Sequence, residues 1–393
     1  MSKKILLITS RIPYPPFGGD RLKNFNLLKI LSKYYEVHLV TITDEIPTDE
    51  TKKVLEKYTT SCKIFKKSKF DFLLSTSRAI FNKEPLQVNY YYFKDVQEYI
   101  NSISKDMDCI IATLVRTAKY SDSIDKPKIF DMADSIGLNY KRSSARVKSL
   151  FWKSIYMFES KRLLRYEKEM INKYDKTLLF NREEIKYFNL PNKIKFIPHG
   201  VNEALFTYDD QDEKYKNYVA FFGKMDYQPN IDAVIWFTEN VLNKLNLNIK
   251  FIIIGVNPTK KIKDLARKYR NVEVAGFVED PYLILKSSLC VVAPMQTGGG
   301  IQNKVLESMA LGTINIVSSL AAAPIGAKDK RDYLILDDPV EIANVINDIF
   351  RNRNKYAFLK KNSRKFIKEH FTWSLYEKVY IETIEEVIDA HKK

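Results

Sequence analysis

Short runs of β-branched and other apolar residues alternate along this chain with longer segments whose apolar positions recur every three or four residues. In the first half KILLITS, EVHLVTI, CIIATLV, PKIFDMA, KTLLFN and IKFIP read as buried strands, with amphipathic helices such as 21–34 and 161–173 between several of them. In the second half NYVAFFG, IKFIIIG, VEVAG, LCVVAP and INIVSS repeat the pattern, with helices such as 231–245 and 304–311. Strands separated by helices in this way predict βαβ units, and hence parallel sheets whose ligands lie beyond the carboxyl ends of the strands. Two such series predict an α/β fold of two doubly wound, Rossmann-like domains.

The pattern breaks at IPHGVNEALFTYDDQDEKYKNY, a polar, turn-rich and acidic piece, after which VAFFG restarts it. The expected division is a first domain over 1–198, a linker over 199–216 and a second domain over 217–372. A final amphipathic segment, 373–393, has no strand after it. Its apolar positions Leu375, Val379, Ile381, Ile384, Val387 and Ile388 require a surface to pack on.

Composition agrees with this division and narrows the function. A chain of 393 residues exceeds the size of one core, and 45% hydrophobic content is ample for two. The longest apolar runs, such as LCVVA, are far too short to span a bilayer, and MSKKILLITSR reads as a first strand and not a signal peptide. Three scattered cysteines, Cys62, Cys109 and Cys290, fit reduced thiols in a cytoplasmic protein and show no metal-ligand spacing. The net charge of +16 is uneven: residues 1–200 carry 37 Lys and Arg against 23 Asp and Glu, the remainder 27 against 25. A basic first half suits an anionic partner (nucleic acid, an acidic membrane surface or a phosphorylated substrate) and equally suits plain solubility. Within it, KIFKKSKFDFLLSTSRAIF mixes lysines with aromatics and leucines. It reads either as an interfacial segment or as a packed helix with a basic solvent face.

The strongest candidate chemistry is PMQTGGGIQNKVLESMALG at 294–312. Gly298, Gly299 and Gly300, then Ile301, Gln302 and Asn303, join a strand to a helix, the setting in which main-chain N–H groups and the helix dipole hold an anion. Lys304 adds a cation within the first turn. Glu307 lies three residues on along the same face, too close to a phosphate to serve it, and suits the vicinal hydroxyls of a ribose. Together they suit a nucleoside diphosphate; the plain alternative is a glycine-rich turn with Lys304 and Glu307 solvated. Neither the P-loop nor the dinucleotide fingerprint is present.

A second glycine pair, Gly18 and Gly19 in SRIPYPPFGGDRLKNF, meets a helix start after the first strand, as an anion loop or as a flexible turn. Lys224 in FFGKMDYQPNID follows a glycine at a strand end, as a second cation for a diphosphate or as a surface lysine. Asp131 and Asp134 in IFDMADS end a strand of the first domain, where each suits an acceptor hydroxyl or a helix cap. His199 reads as structural. The two D-x-D tripeptides, at 106–108 and 210–212, stand before a strand and in the acidic linker, so no metal site is expected.

With these pieces placed, the sequence resembles the GT-B-fold glycosyltransferases of the retaining family 4 (group 1) type along nearly its whole length. The resemblance rests on RIPYPPFGGDRLKNFNLLKIL, EVHLVT, IFDMADS, YEKEMINKYD, IPHGVN, FFGKMDYQPNIDAVIWF, GFVEDPYLILKSS and, most specifically, PMQTGGGIQNKVLESMALG. Within the family it is most similar to sugar transferases of exopolysaccharide gene clusters. The resemblance implies two domains facing across a cleft, the donor held by the second and the acceptor by the first, with the last helix crossing back to the first domain. It implies that Lys224 and Lys304 bind the diphosphate, that Glu307 binds the ribose, and that the backbone at Phe277 and Val278 lines the base. Gly18 and Gly19 then contact the β-phosphate side, Asp134 joins the reacting groups, and Arg11, Arg116 and Asp131 stand on the acceptor side. Many relatives carry a sugar-contacting glutamate eight residues before the Glu307 position; here that position is Gly299, so Gly300–Ile301 amides, Gln302 or Asn303 must take its place.

The implied reaction is retaining transfer from a nucleotide-diphosphate sugar, UDP- or GDP-linked, to a hydroxyl of a glycan or polyprenyl-linked oligosaccharide. It needs no metal and no cofactor, the nucleotide sugar being a substrate. Peripheral contact with an anionic membrane would suit such an acceptor, and no nucleic-acid partner is expected. Two rival readings are an epimerase or hydrolase of the same architecture, and a non-enzymatic basic protein that binds nucleic acid or membrane.

Overall fold

The apolar runs of the first half form seven parallel strands among the described residues, which in this computed structural model are 2–144 and 149–392. They are β1 (Lys4–Thr9), β2 (Glu36–Thr43), β3 (Ser61–Lys66), β4 (Cys109–Thr113), β5 (Lys128–Ala133), β6 (Lys176–Leu179) and β7 (Ile194–Phe196), in the order β3-β2-β1-β4-β5-β6-β7. The central strands β1, β4 and β5 are buried almost throughout, as expected where helices cover both faces of a sheet. The second half adds β8 (Tyr218–Phe222), β9 (Lys250–Ile254), β10 (Val272–Gly276), β11 (Cys290–Ala293), β12 (Asn315–Val317) and β13 (Leu334–Ile335), in the order β10-β9-β8-β11-β12-β13.

The chain divides into two units, Met1–Ile197 with Ser374–Lys393, and Pro198–Trp373. The final helix, Trp373–His391, thus belongs mostly to the first unit. Glu377 of this helix accepts from Lys33 and Tyr34 at 2.7 Å each, and Glu385 accepts from Tyr35 at 2.8 Å and pairs with Lys3. The stretch expected as a linker is instead integral to the second unit. Val201 and Leu205 are buried in its core, and Val201 N donates to Phe371 O at 3.1 Å. Gly200 is required there: a Cβ would stand 2.2 Å from the Trp373 ring. His199 is buried against that same ring, 5.3 Å between centroids.

The structure corrects several expected elements. Strands β3 and β13 leave no apolar run in the sequence. β3 (SCKIFK) is lysine-rich and nowhere fully buried, and β13 has only two residues. KIFKKSKFDFLLSTSRAIF is therefore not one continuous helix. Its first four residues end β3, and a helix, Lys69–Thr76, begins after a Ser68–Asp71 capping box. The helix expected at 161–173 runs from Leu150 to Lys173, because its first two turns bury nothing and so lack a core-facing period. The helix expected at 231–245 spans Gln228–Asn240, with Pro229 in its first turn, and a separate short turn, Leu242–Lys244, follows.

Candidate functional site

In the second unit, β11 leads through the glycine loop into an eight-residue helix, Asn303–Ala310. Gly298 adopts φ +89, a left-handed conformation that a side chain would strain. Gln302 begins the helix without a side-chain cap, so the helix end carries its positive dipole into the loop. Lys304 does not reach into bulk water. Its Nζ donates to Asn230 Oδ1 at 2.6 Å and to Gln302 Oε1 at 3.2 Å, and lies 5.2 Å from the centre of the Phe221 ring. Burial pushes this ammonium down to about 7, against the attraction of Glu307. Burial likewise pushes the Glu307 carboxyl up to about 7, while the Tyr282 hydroxyl, donating at 3.3 Å, and Lys304 oppose the rise. Both side chains keep partial exposure. A cation and a carboxyl held half-desolvated on one helical turn are poised to exchange protein partners for a charged ligand and its hydroxyls.

Asn230 organises this site. Its side-chain amide donates to Lys224 O at 2.9 Å while its oxygen holds Lys304, so the β8 loop and the glycine loop are fixed to each other. Sequence reasoning passed over Asn230 and Tyr282 although both lie in the stretches that carry the family resemblance. The available signals were a buried amide on a helix's first turn and a hydroxyl one residue after the Asp280–Pro281 helix start. Lys224 itself is exposed and lies 3.4 Å from Asp226. Behind the β8 loop, Gly255 N donates to Gly276 O, and a Cβ at Gly255 would meet Gly223 O at 1.8 Å. Phe277 is 74% exposed after Gly276, whose φ is +69, and Val278 packs on the core. Gly299 is buried, Gly300 O accepts from Gln302 Nε2 at 3.0 Å, and Ile301 packs partly on the core.

The remaining candidates lie in the first unit. Gly18, at φ +100, precedes the helix Gly19–Leu31. Arg11 pairs with Asp20 at 3.3 Å and lies close enough to Tyr91 to feel its hydroxyl electrostatically, and the Arg116 guanidinium stacks 5.1 Å from the Tyr91 ring. These two arginines therefore share one tyrosine at the carboxyl end of the sheet. Asp131 is not an open acceptor-side group. It is fully buried, its Oδ2 2.7 Å from Lys23 Nζ and accepting from the Tyr380 hydroxyl at 3.0 Å.

Asp134 follows Ala133, which holds φ +61 at the end of β5, and its Oδ1 is buried with no hydrogen-bond partner. It sits beside Glu184, which in turn neighbours Glu167. Ser135 N donates to Glu184 at 2.7 Å, and Ser135 Oγ and Gly137 N donate to Glu167 at 2.6 and 3.0 Å. Burial pushes all three carboxyls up, Glu167 to about 7, and Arg142 at 3.1 Å from Glu184 offsets part of that rise.

Residues 216–352 match the sequence profile of the family described as Glycosyl transferases group 1. A 44.6 kDa protein of the cps region of Klebsiella pneumoniae is 24% identical over 400 residues, covering 94% of this chain and 96% of its own. Among solved structures, Anabaena HepE in complex with UDP superposes with a TM-score of 0.69 at 14% identity, over 98% of this chain and 100% of that one. WaaG, a glycosyltransferase involved in lipopolysaccharide biosynthesis, superposes with a TM-score of 0.67 at 13% identity, over 95% and 98%. At such identities the superpositions speak for the GT-B fold, and the profile speaks for the chemistry of the second unit. Residues 216–352 thus match the group 1 glycosyltransferases, and the chain has the GT-B fold.

Proposed function

We propose that this enzyme moves a sugar, with retention of anomeric configuration, from a nucleotide-diphosphate sugar to a hydroxyl of a glycan or polyprenyl-linked oligosaccharide, in the synthesis of a cell-surface polysaccharide. The observation that carries the proposal is the Lys304–Glu307 pair on the first turn of an uncapped helix behind three glycines. The glycine-loop amides and Lys304 hold the diphosphate, with the exposed Lys224 reaching it from the β8 loop. Glu307, freed from Tyr282, takes the ribose hydroxyls, and Phe277 with Val278 lies against the base. In the first unit, Arg11, Arg116 and Asp134 are assigned to the acceptor.

In the reaction the bond between the anomeric carbon and the diphosphate oxygen breaks and an acceptor oxygen bonds to that carbon. The acceptor proton passes to a leaving phosphate oxygen, so no strong protein base is required. Charge grows on the departing diphosphate, where fixed amides and ammonium groups stabilise it without reorganising. With Gly299 in place of a carboxylate, the sugar's hydroxyls fall to main-chain amides, Gln302 and Asn303.

A thermal-shift series with UDP, GDP, ADP, CMP and their sugars tests this reading. A ligand that binds only the folded state stabilises it by about 2.7 kcal/mol at a hundred times its Kd. The UDP held by HepE makes uridine the first base to try. No shift with any nucleotide, or donor turnover to a free epimer without an acceptor, would overturn the proposal.

A further inference from the structure

Among the described residues, nine of the nineteen exposed large apolar side chains lie in two short segments of the first unit, 70–81 and 150–158. Helix Lys69–Thr76 turns Phe72 inward but leaves Phe70, Leu73 and Leu74 61–70% exposed, and Phe81 beyond it is 90% exposed. The helix Leu150–Lys173 buries nothing before Glu159. Its Leu150 and Phe151 recur as Met157 and Phe158 seven residues, or two helical turns, later and so form one outward apolar face. The two segments are one surface, because Arg162 clasps them. Its guanidinium lies 5.4 Å from the Phe158 ring and donates to Ala79 O and Asn82 O at 3.2 and 2.9 Å. A contiguous outward apolar patch of this kind marks a docking surface, since water disfavours it unless something covers it.

The charges around it select the occupant. Residues 63–83 and 149–165 together carry ten Lys and Arg against two Asp and Glu. Neither acid offers much to a partner: Asp71 folds back onto Ser68, and Glu159 is buried, accepting from Leu86 N. A second copy meeting this face about a two-fold axis would set like charge against like. A bilayer of anionic lipid matches it, with aromatic and leucine side chains at the headgroup–acyl boundary and lysines at the level of the phosphates. We propose that the surface formed by Phe70, Leu73, Leu74 and Phe81 with Phe151 and Phe158 docks the first unit onto an anionic membrane. Docking needs no nucleotide, so it stands or falls apart from the sugar chemistry.

The test is co-sedimentation of the full chain with vesicles of phosphatidylglycerol and phosphatidylethanolamine, and with vesicles of phosphatidylcholine. The wild type is expected to bind the anionic vesicles, with a blue shift in fluorescence from the half-exposed Trp152, and to leave the neutral ones largely unbound. Phe151→Ser with Phe158→Ser, and separately Leu73→Ser with Leu74→Ser, should each weaken binding by about tenfold or more. Because these side chains are exposed, the melting temperature should hold. Undiminished binding by both double variants, equal binding to neutral vesicles, no vesicle binding by the wild type, or a lipid-free dimer that the same substitutions dissolve would each overturn the proposal.

Discussion

The phenol of Tyr380 donates to the carboxylate of Asp131 at 3.0 Å, joining the last helix to the middle of the first sheet across 249 positions of sequence. The same carboxylate oxygen lies 2.7 Å from Lys23 Nζ, and both ends of that ion pair are within 2% of complete burial. Removing one member of such a pair strands a buried charge. Asp131→Ala should therefore destabilise the first unit by about 3–5 kcal/mol. Urea unfolding of the variant measures this; a loss below about 1 kcal/mol would show that the pair is solvated in solution.

Lys304→Ala should keep the fold, since its ammonium is held by side-chain partners and not by the core, yet lower turnover by about a hundredfold or more. Steady-state transfer assays with the cognate donor check this. Turnover within a factor of about three of wild type would remove Lys304 from the reaction.

The depressed Lys304 ammonium sets a pH dependence for diphosphate binding. With its midpoint near 7, the ligand-free site loses this cation as pH rises above 7, and a bound diphosphate restores it by taking up a proton. Affinity for UDP should thus fall by up to about tenfold per pH unit above 7, until the bound-state midpoint is passed. Calorimetry at pH 6.5, 8 and 9 in buffers of different ionisation heat reads both the affinity and the proton. A flat wild-type profile, or the same slope in Lys304→Ala, would assign the effect elsewhere.

The buried carboxyls of the first unit act with a definite sign. The folded midpoint of Glu167 is raised to about 7, so its contribution to stability is complete below its unfolded midpoint and is lost as pH rises through 7. Glu184 is raised in the same direction. Denaturant midpoints should therefore be lower at pH 8 than at pH 5.5, a difference on the order of a few kcal/mol that Glu167→Gln narrows. A gap unchanged by that substitution would contradict a protonated Glu167 at acid pH.

Gly255→Ala would drive a methyl group into the Gly223 carbonyl and shift the loop that carries Lys224 and the Asn230 contact. A cost of about 1–3 kcal/mol and a parallel loss of nucleotide affinity are expected. Intact UDP binding in the variant would show that the β8 loop moves without consequence for the donor site.

Much of this was legible in the chain. Apolar period and glycine placement located the central strands of both sheets and the loop ahead of Asn303, because buried strands and main-chain anion sites leave marks in local sequence. Strands β3 and β13 did not show, since the first is nowhere fully buried and the second has only two residues. Asp131 and Asp134 looked alike in IFDMADS, three residues apart at the end of one strand. Only the tertiary contacts of Asp131 with Lys23 and Tyr380 mark it as a buried counter-ion. The Asn230–Lys304 contact spans 74 residues, and no local pattern announces it. The outward faces of helices Lys69–Thr76 and Leu150–Lys173 were partly visible as lysines among aromatics, but which side faced out depended on what lay beneath.

The seam at Ile197 and Ser374 also sets an order of assembly. As the chain leaves the ribosome, the second unit, continuous from Pro198 to Trp373, has all its strands before the first unit has received residues 374–393. The half that begins translation is thus the last to be finished, with Asp131 and Lys23 awaiting Tyr380 until the end of synthesis. A stop placed before Ser374 should spare the second unit and leave the first open to proteolysis.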